Sequence, residues 1–323
     1  MLFRSLDYTV TPEHPVLHWT LELMVLHGGM EDYVLDTPLL AHLGLASMQN
    51  ITVEDFENGA NKKLLRQHWQ ALADTPLRED TLPAALLRNT RLLGATLGAT
   101  ACEIKLLRFA ILLHADPALN AAARCVDDVS PMQCVRILAS LLDEPETEID
   151  AALSETGTFT RAGLYHFNEQ PFDATLRDQL GLVSMSFARN MLTMQEFDST
   201  AIFKGVFQPC QSPSLRAGHY SHMRHEFAIL RELVREAVTT QRRGVNVLLY
   251  GEPGTGKTEL SRLMVQLAGV PGFEVCYENE QGKINDGLRR IRAWTAANAM
   301  LQNQAALLIF DEAEDAFEKT PSM

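Results

Sequence analysis

Apolar and polar positions along the chain fall into two regimes that meet near residue 200. Up to there the spacing is mostly helical. His14–Leu26 begins at Pro12 and Pro15, whose fixed φ suits a first turn, and stops at Gly28-Gly29, which suit a left-handed end. A second helix is predicted over Val53–Ala73. Further on, Thr100-x-x-Glu103 is a capping box ahead of IKLLRFAILLH, where Ile104, Leu107 and Ile111 share a face. Ser130-Pro131-x-Gln133 plays the same part ahead of MQCVRILASLL. These short helices and the turn-and-strand pattern SETGTFTRAGLYHF have the outline of a winged helix.

Past residue 219 the pattern alternates. Glu226–Thr239 carries Leu230, Leu233, Val234 and Val238 at helical spacing, and Val245–Tyr250 (VNVLLY) is apolar, branched and short, as a buried parallel strand should be. A helix with Leu260, Leu263, Met264 and Leu267 in a stripe comes next, then a strand over Phe273–Tyr277. A helix over Ile284–Leu301, with Ile284, Leu288, Ile291 and Thr295 on one side, leads to a third strand over Ala306–Phe310. This is the alternation of a doubly wound α/β domain. The expected organisation is a helical region 1–90, a helical and winged-helix-like region 91–198, a linker 199–218 and an α/β domain 219–323. The linker prediction rests on FQPCQSPSLRAGH, rich in Pro, Ser and Gly.

The predicted strand VNVLLY opens onto Gly251-Glu252-Pro253-Gly254-Thr255-Gly256-Lys257-Thr258, which fits GxxxxGK[ST]. Each fixed position has a task. Gly251, Gly254 and Gly256 let the backbone curl so that amide hydrogens face inward, where a side chain would block a phosphate. Lys257 brings a positive charge to the β and γ phosphates, and Thr258 offers a hydroxyl to the Mg2+ that bridges them. The helix that starts here turns its positive dipole end to the same anion.

Asp311 emerges at the C-terminal end of the third predicted strand, where open α/β sheets place ligands, and a carboxylate there can hold Mg2+ through water. Glu312 points elsewhere and can orient and deprotonate the water that attacks the γ phosphate.

Together GEPGTGKT, LLIFDE and the lead-in from about His219 resemble the AAA+ ATPase family, as its Walker A motif, its Walker B motif and its approach to the nucleotide. The resemblance covers roughly the last hundred residues. It implies an α/β P-loop NTPase domain, and the region ahead is similar to the mostly α-helical, winged-helix-like accessory part of some bacterial AAA ATPases. It also implies ATP and Mg2+ as ligands, bound between neighbouring subunits of a homo-oligomeric ring, with hydrolysis that remodels a protein partner. Carried over residue by residue, nucleotide contact falls to Gly251, Glu252, Pro253, Gly254, Thr255, Gly256, Lys257, Thr258 and Glu259. Metal binding falls to Thr258 and Asp311, and catalysis to Glu312 and Lys257.

The chain also departs from the family pattern. YENEQGKINDG supplies no aromatic-hydrophobic-glycine triplet, so threading of a polypeptide is not implied. Nothing after Met323 provides the polar sensor, the arginine finger or the helical lid, so the expected state is an incomplete domain, truncated after Walker B. The family's sheet places its fourth strand between the first and third, so VNVLLY and ALLIF are not expected to be neighbours and both should show open backbone edges. The other reading is a nucleotide-binding regulatory or adaptor module with little or no hydrolysis. A guanine reader of the NKxD type is absent.

Charge and composition narrow the partners. The net charge is −13, which opposes broad attraction to nucleic acid or anionic membrane. Between Ala101 and Thr160 four basic residues face ten acidic ones, and the candidate recognition helix carries only Arg136, which argues against DNA binding by the winged-helix outline. Cys102, Cys125, Cys134, Cys210 and Cys276 form no CxxC pair, and no uncharged apolar run reaches membrane-spanning length, so a cytoplasmic protein is expected. His219, His222 and His225 swing the third side chain about 120° from the first, which disfavours a metal site. Met185, Met191 and Met194 fall on a helical pattern and are expected in a core.

Overall fold

The computed structural model describes residues 11–28, 60–72, 75–168, 174–278 and 282–317. The chain divides into two compact units, Met1–Asp198 and Ser199–Met323.

The first unit is mostly helical, and its helices start where local chemistry supplies a cap. Pro15–Leu26 begins behind His14, whose ring accepts from the Val16 amide at 3.3 Å. Both halves of the expected capping box form ahead of Ala101–Ala115: the Thr100 amide donates to Glu103 Oε2 at 2.7 Å and the Glu103 amide to Thr100 Oγ1 at 3.2 Å. Ser130 and Gln133 do the same ahead of Pro131–Leu142. Each exchange satisfies two amides that the helix itself leaves without partners. The helix predicted from Val53 is seen as Ala60–Leu72, with Val53–Gly59 and Ala73 outside the described residues.

Packing then joins segments far apart in sequence. Trp19 sets its ring edge-on to Phe109 at 5.2 Å and donates Nε1–H to the Leu141 carbonyl at 2.7 Å. One side chain thereby ties Pro15–Leu26 to two central helices. The expected break at residue 90 falls inside the helix Ala84–Leu97, where Leu86, Asn89, Thr90 and Leu93 are buried. The chain continues through it because that face is needed in the core. Of the three methionines expected in a core, Met191 is buried while Met185 is 40% exposed. Among the described residues of this unit, helices give way to the antiparallel pair β1 (Tyr165–Phe167) and β2 (Leu180–Leu182).

His114 marks a pH-sensitive point in this unit. Its Nε2 lies 2.7 Å from the Leu180 carbonyl and its Nδ1 2.8 Å from Arg177 Nη2, so the neutral ring donates at one nitrogen and accepts at the other. Burial, then the Arg177 charge, push its pKa down from 6.5 to about 4. The unfolded chain therefore binds more protons between those values, and stability is full above pH 6.5 and lost as pH falls toward 4. The displacement corresponds to roughly 3 kcal/mol. Thermal melts of His114→Gln should show a flatter acid limb over this window than the unaltered chain.

The second unit is built on a three-stranded sheet in the order β3 (Phe207–Pro209), β4 (Gly272–Val275), β5 (Leu307–Ile309). β3 runs antiparallel to β4, with Phe207 opposite Val275, and β4 runs parallel to β5, with Phe273 opposite Leu308. Residues 199–218, expected as a linker, are largely part of this unit. Phe203 stacks on Phe207 at 5.5 Å, and Phe207 meets Phe273 edge-on at 5.7 Å. The Pro- and Ser-rich composition applies to the stretch after Pro209, whereas Phe203, Val206 and Phe207 are buried apolar residues.

Two further differences concern the elements around the sheet. Val245–Tyr250, expected as a buried parallel strand, pairs with no strand among the described residues, and Leu248 and Tyr250 are 78% and 89% exposed. A groove of about 590 Å³, lined by Val245, Val247, Trp294, Leu307 and Leu308, separates it from β5. A strand needs a hydrogen-bonding neighbour, and among the described residues no strand pairs with this segment. The helix Gly287–Leu301 is present, but its buried face is Arg290, Ala293, Ala296, Ala297, Met300 and Leu301. Ile284 and Leu288, expected to share one side of the helix, are each 65% exposed. Alanines at helical spacing form that face, so apolar bulk was a poor guide to it.

Candidate functional site

The loop ahead of the helix Lys257–Ala268 has a backbone that few residue types can adopt. Gly251, Gly254 and Gly256 have φ of +148°, +78° and +84°. A Cβ built on Gly254 would meet no atom within 4 Å, and one on Gly251 would meet only Thr255 Oγ1 at 3.8 Å. Gly251 and Gly254 therefore line open space that side chains would occupy. Gly256 is the helix N-cap and offers no side-chain cap. The first amides of the helix are thus left for another acceptor, which at a helix N-terminus is ordinarily an anion.

Charged and polar side chains converge on that space. Lys257 Nζ donates to the Gly251 and Glu252 carbonyls at 2.9 and 3.1 Å, which holds the ammonium over the loop. Thr255 Oγ1 closes the turn onto the Glu252 carbonyl at 2.8 Å. Thr258 Oγ1 donates to Asp311 Oδ2 at 2.7 Å, so the first turn of the helix meets the end of β5. Glu312 follows with φ of +48°, its amide bonded to Asp311 Oδ1 at 3.1 Å and its side chain exposed. An ammonium, unspent amides and open backbone suit a phosphate chain, and the hydroxyl–carboxylate pair suits the oxygen ligation of Mg2+.

The Glu259 side chain ties the helix to the preceding segment. Its Oε2 accepts from Ser214 Oγ at 2.7 Å and from the Ser214 and Leu215 amides, while Oε1 accepts from Arg262 at 3.1 Å. The hydrogen bonds from Ser214 hold its pKa down to about 2. Arg262 continues outward to Glu274 at 2.7 Å, and the Cys210 thiol, raised to about 12 by burial and by Glu274, donates to the same carboxylate at 3.3 Å. Burial alone would raise Glu274, but the hydrogen bonds from Arg262 and Cys210 outweigh it and its pKa is lowered. This chain of contacts fastens residues 210–215 to the helix and to β4.

Sequence reasoning passed over two supporting residues. Tyr220 is 3% exposed, stacks on Phe227 at 5.9 Å and donates its hydroxyl to the Gly256 carbonyl at 3.0 Å. It anchors the loop on a core with Phe227, Val234, Leu260, Leu263 and Met264. An aromatic residue among the polar AGHYSHM was its only signal in the sequence. The other is Arg290, buried beneath Asp311 and Glu312.

Residues 247–322 match the model of the family described as ATPase family associated with various cellular activities (AAA). Comparison with curated proteins and with solved structures finds no match. The matched segment includes the glycine loop, its helix, β4, β5 and both carboxylates. Residues 247–322 are therefore similar to the AAA family of ATPases, a likeness that covers this segment of the chain.

Proposed function

We propose that the C-terminal unit binds Mg-ATP and hydrolyses it, and that the energy released remodels a protein partner, with neighbouring copies of the chain assembled in a ring. Gly251–Thr258 receive the phosphates, and Lys257 neutralises the β and γ phosphates. Thr258 and Asp311 hold Mg2+, and Glu312 orients and deprotonates the attacking water. Bound Mg2+ would draw charge from the leaving phosphate oxygens.

The observation that carries this reading is the 2.7 Å bond between Thr258 Oγ1 and Asp311 Oδ2. The two oxygens proposed as ligands of one metal, 53 positions apart in sequence, are thus side by side, which supports the reading. Their partners in the reading are beside them: the ammonium of Lys257 over the loop and the exposed carboxylate of Glu312. Titration of the full chain with ATP, with and without Mg2+, tests it.

A second reading is favoured by a different observation. Val245–Tyr250, which leads into the loop, pairs with no strand among the described residues, and the loop leans on its own helix and on Tyr220. A site supported in this way suits a nucleotide-responsive adaptor that binds ATP with little turnover. Phosphate release under single-turnover conditions separates the two.

A further inference from the structure

We infer that Arg290 is the positioning residue that fixes the Asp311–Glu312 turn, so that metal binding by Asp311 depends on a guanidinium that touches neither metal nor nucleotide. The inference rests on the function proposed above and adds to it the support beneath the two carboxylates.

Arg290 is the largest fully buried side chain among the described residues, 1% exposed. Among those residues it makes no ion pair. A guanidinium out of water and without a carboxylate is a costly arrangement, so what it does touch is informative. Nη1 donates to the Glu312 carbonyl at 2.6 Å and Nη2 to the Asp311 carbonyl. Its plane is flanked by aromatic rings, with Cζ 4.9 Å from the Tyr277 centroid and 4.7 Å from that of Phe310. Those rings favour a cation and leave Nε without a partner.

The two carbonyls belong to the residues whose carboxylates the site uses. They bracket a sharp turn, because Glu312 has a left-handed backbone that a residue with a Cβ seldom adopts. A planar fork gripping both oxygens holds that turn, and Asp311 can then aim its carboxylate at Thr258 while Glu312 diverges from it. The arrangement resembles outer-shell support of metal ligands, where loss of the supporting residue typically weakens the metal by 10- to 100-fold. Ala293, Ala296, Ala297 and Met300 continue the same buried face, which lets the helix lie close enough for Arg290 to reach the strand end.

Arg290→Lys keeps the charge but supplies one ammonium where the fork supplied two directed donors, and Arg290→Met keeps the volume without charge. Circular dichroism establishes that each variant is folded. Mn2+ affinity of the full chain in the presence of ATP, read by electron paramagnetic resonance, is compared with ATP affinity measured in EDTA. The expected result is Mn2+ affinity at least about tenfold weaker in both variants, with metal-free ATP affinity unchanged. Full Mn2+ affinity in either folded variant would overturn the positioning role and leave the proposed function intact. Equal losses in both affinities would also overturn it, since they describe general damage to the site. If the unaltered chain binds ATP without regard to Mn2+, the functional reading fails first and the inference falls with it.

Discussion

ATP should bind Lys257→Ala about 10- to 100-fold more weakly than it binds the unaltered chain. The figure follows from one charge-assisted contact, worth about 1.5–3 kcal/mol, lost from the phosphate chain. Stability should change little, because Lys257 bonds only two loop carbonyls, Gly251 and Glu252, at an exposed site. Binding and folding thus separate in this variant. Equal ATP affinity in the two chains, measured calorimetrically, would remove the loop from the account of nucleotide binding.

Glu312→Gln should leave Mg-ATP bound but reduce its turnover by about 10²–10⁴-fold, the usual contribution of a general base. The amide has nearly the shape of the carboxylate and cannot take a proton. Glu312 is exposed and its amide, not its side chain, bonds Asp311, so the metal pair is expected to survive the change. Single-turnover phosphate release, with protein in excess, checks this independently of product dissociation. A variant that turns over ATP at the unaltered rate would assign the water to another group.

How much of this was readable in the sequence depended on how local each requirement was. The turn at Gly251, Gly254 and Gly256 was legible because positive φ at close spacing is a demand that glycine answers by itself. The capping boxes at Thr100 and Ser130 were legible for the same reason, each being complete within four residues. Pairing was less accessible. Val245–Tyr250 has the composition of a buried strand, yet composition does not supply a neighbour, and the segment stands outside the sheet. Residues 199–218 read as a linker from their Pro and Ser content, while Phe203 and Phe207 belong to an aromatic stack that closes on Phe273, far along the chain.

Arg290 shows the limit most clearly. Charged residues are normally found on the solvent side of a helix, and the sequence pattern sets Leu288 and Ile291, not Arg290, on the shared apolar side of Gly287–Leu301. The structure buries the arginine with four small or flexible neighbours and leaves Leu288 exposed. What makes this arrangement possible lies elsewhere: the rings of Tyr277 and Phe310 and the carbonyls of Asp311 and Glu312. Tyr220 is a similar case, since its hydroxyl gains meaning only from the Gly256 carbonyl 36 positions away.

The central claim is that the loop and the end of β5 form one Mg-ATP site, and the measurement that tests it most directly is calorimetric titration of ATP into the full chain with Mg2+ and with EDTA, repeated on Thr258→Ala. The account expects saturable binding that Mg2+ strengthens in the unaltered chain, and loss of that gain when the Thr258 hydroxyl is removed. ATP affinity indifferent to Mg2+, or a Thr258→Ala chain that keeps the whole gain, would contradict it.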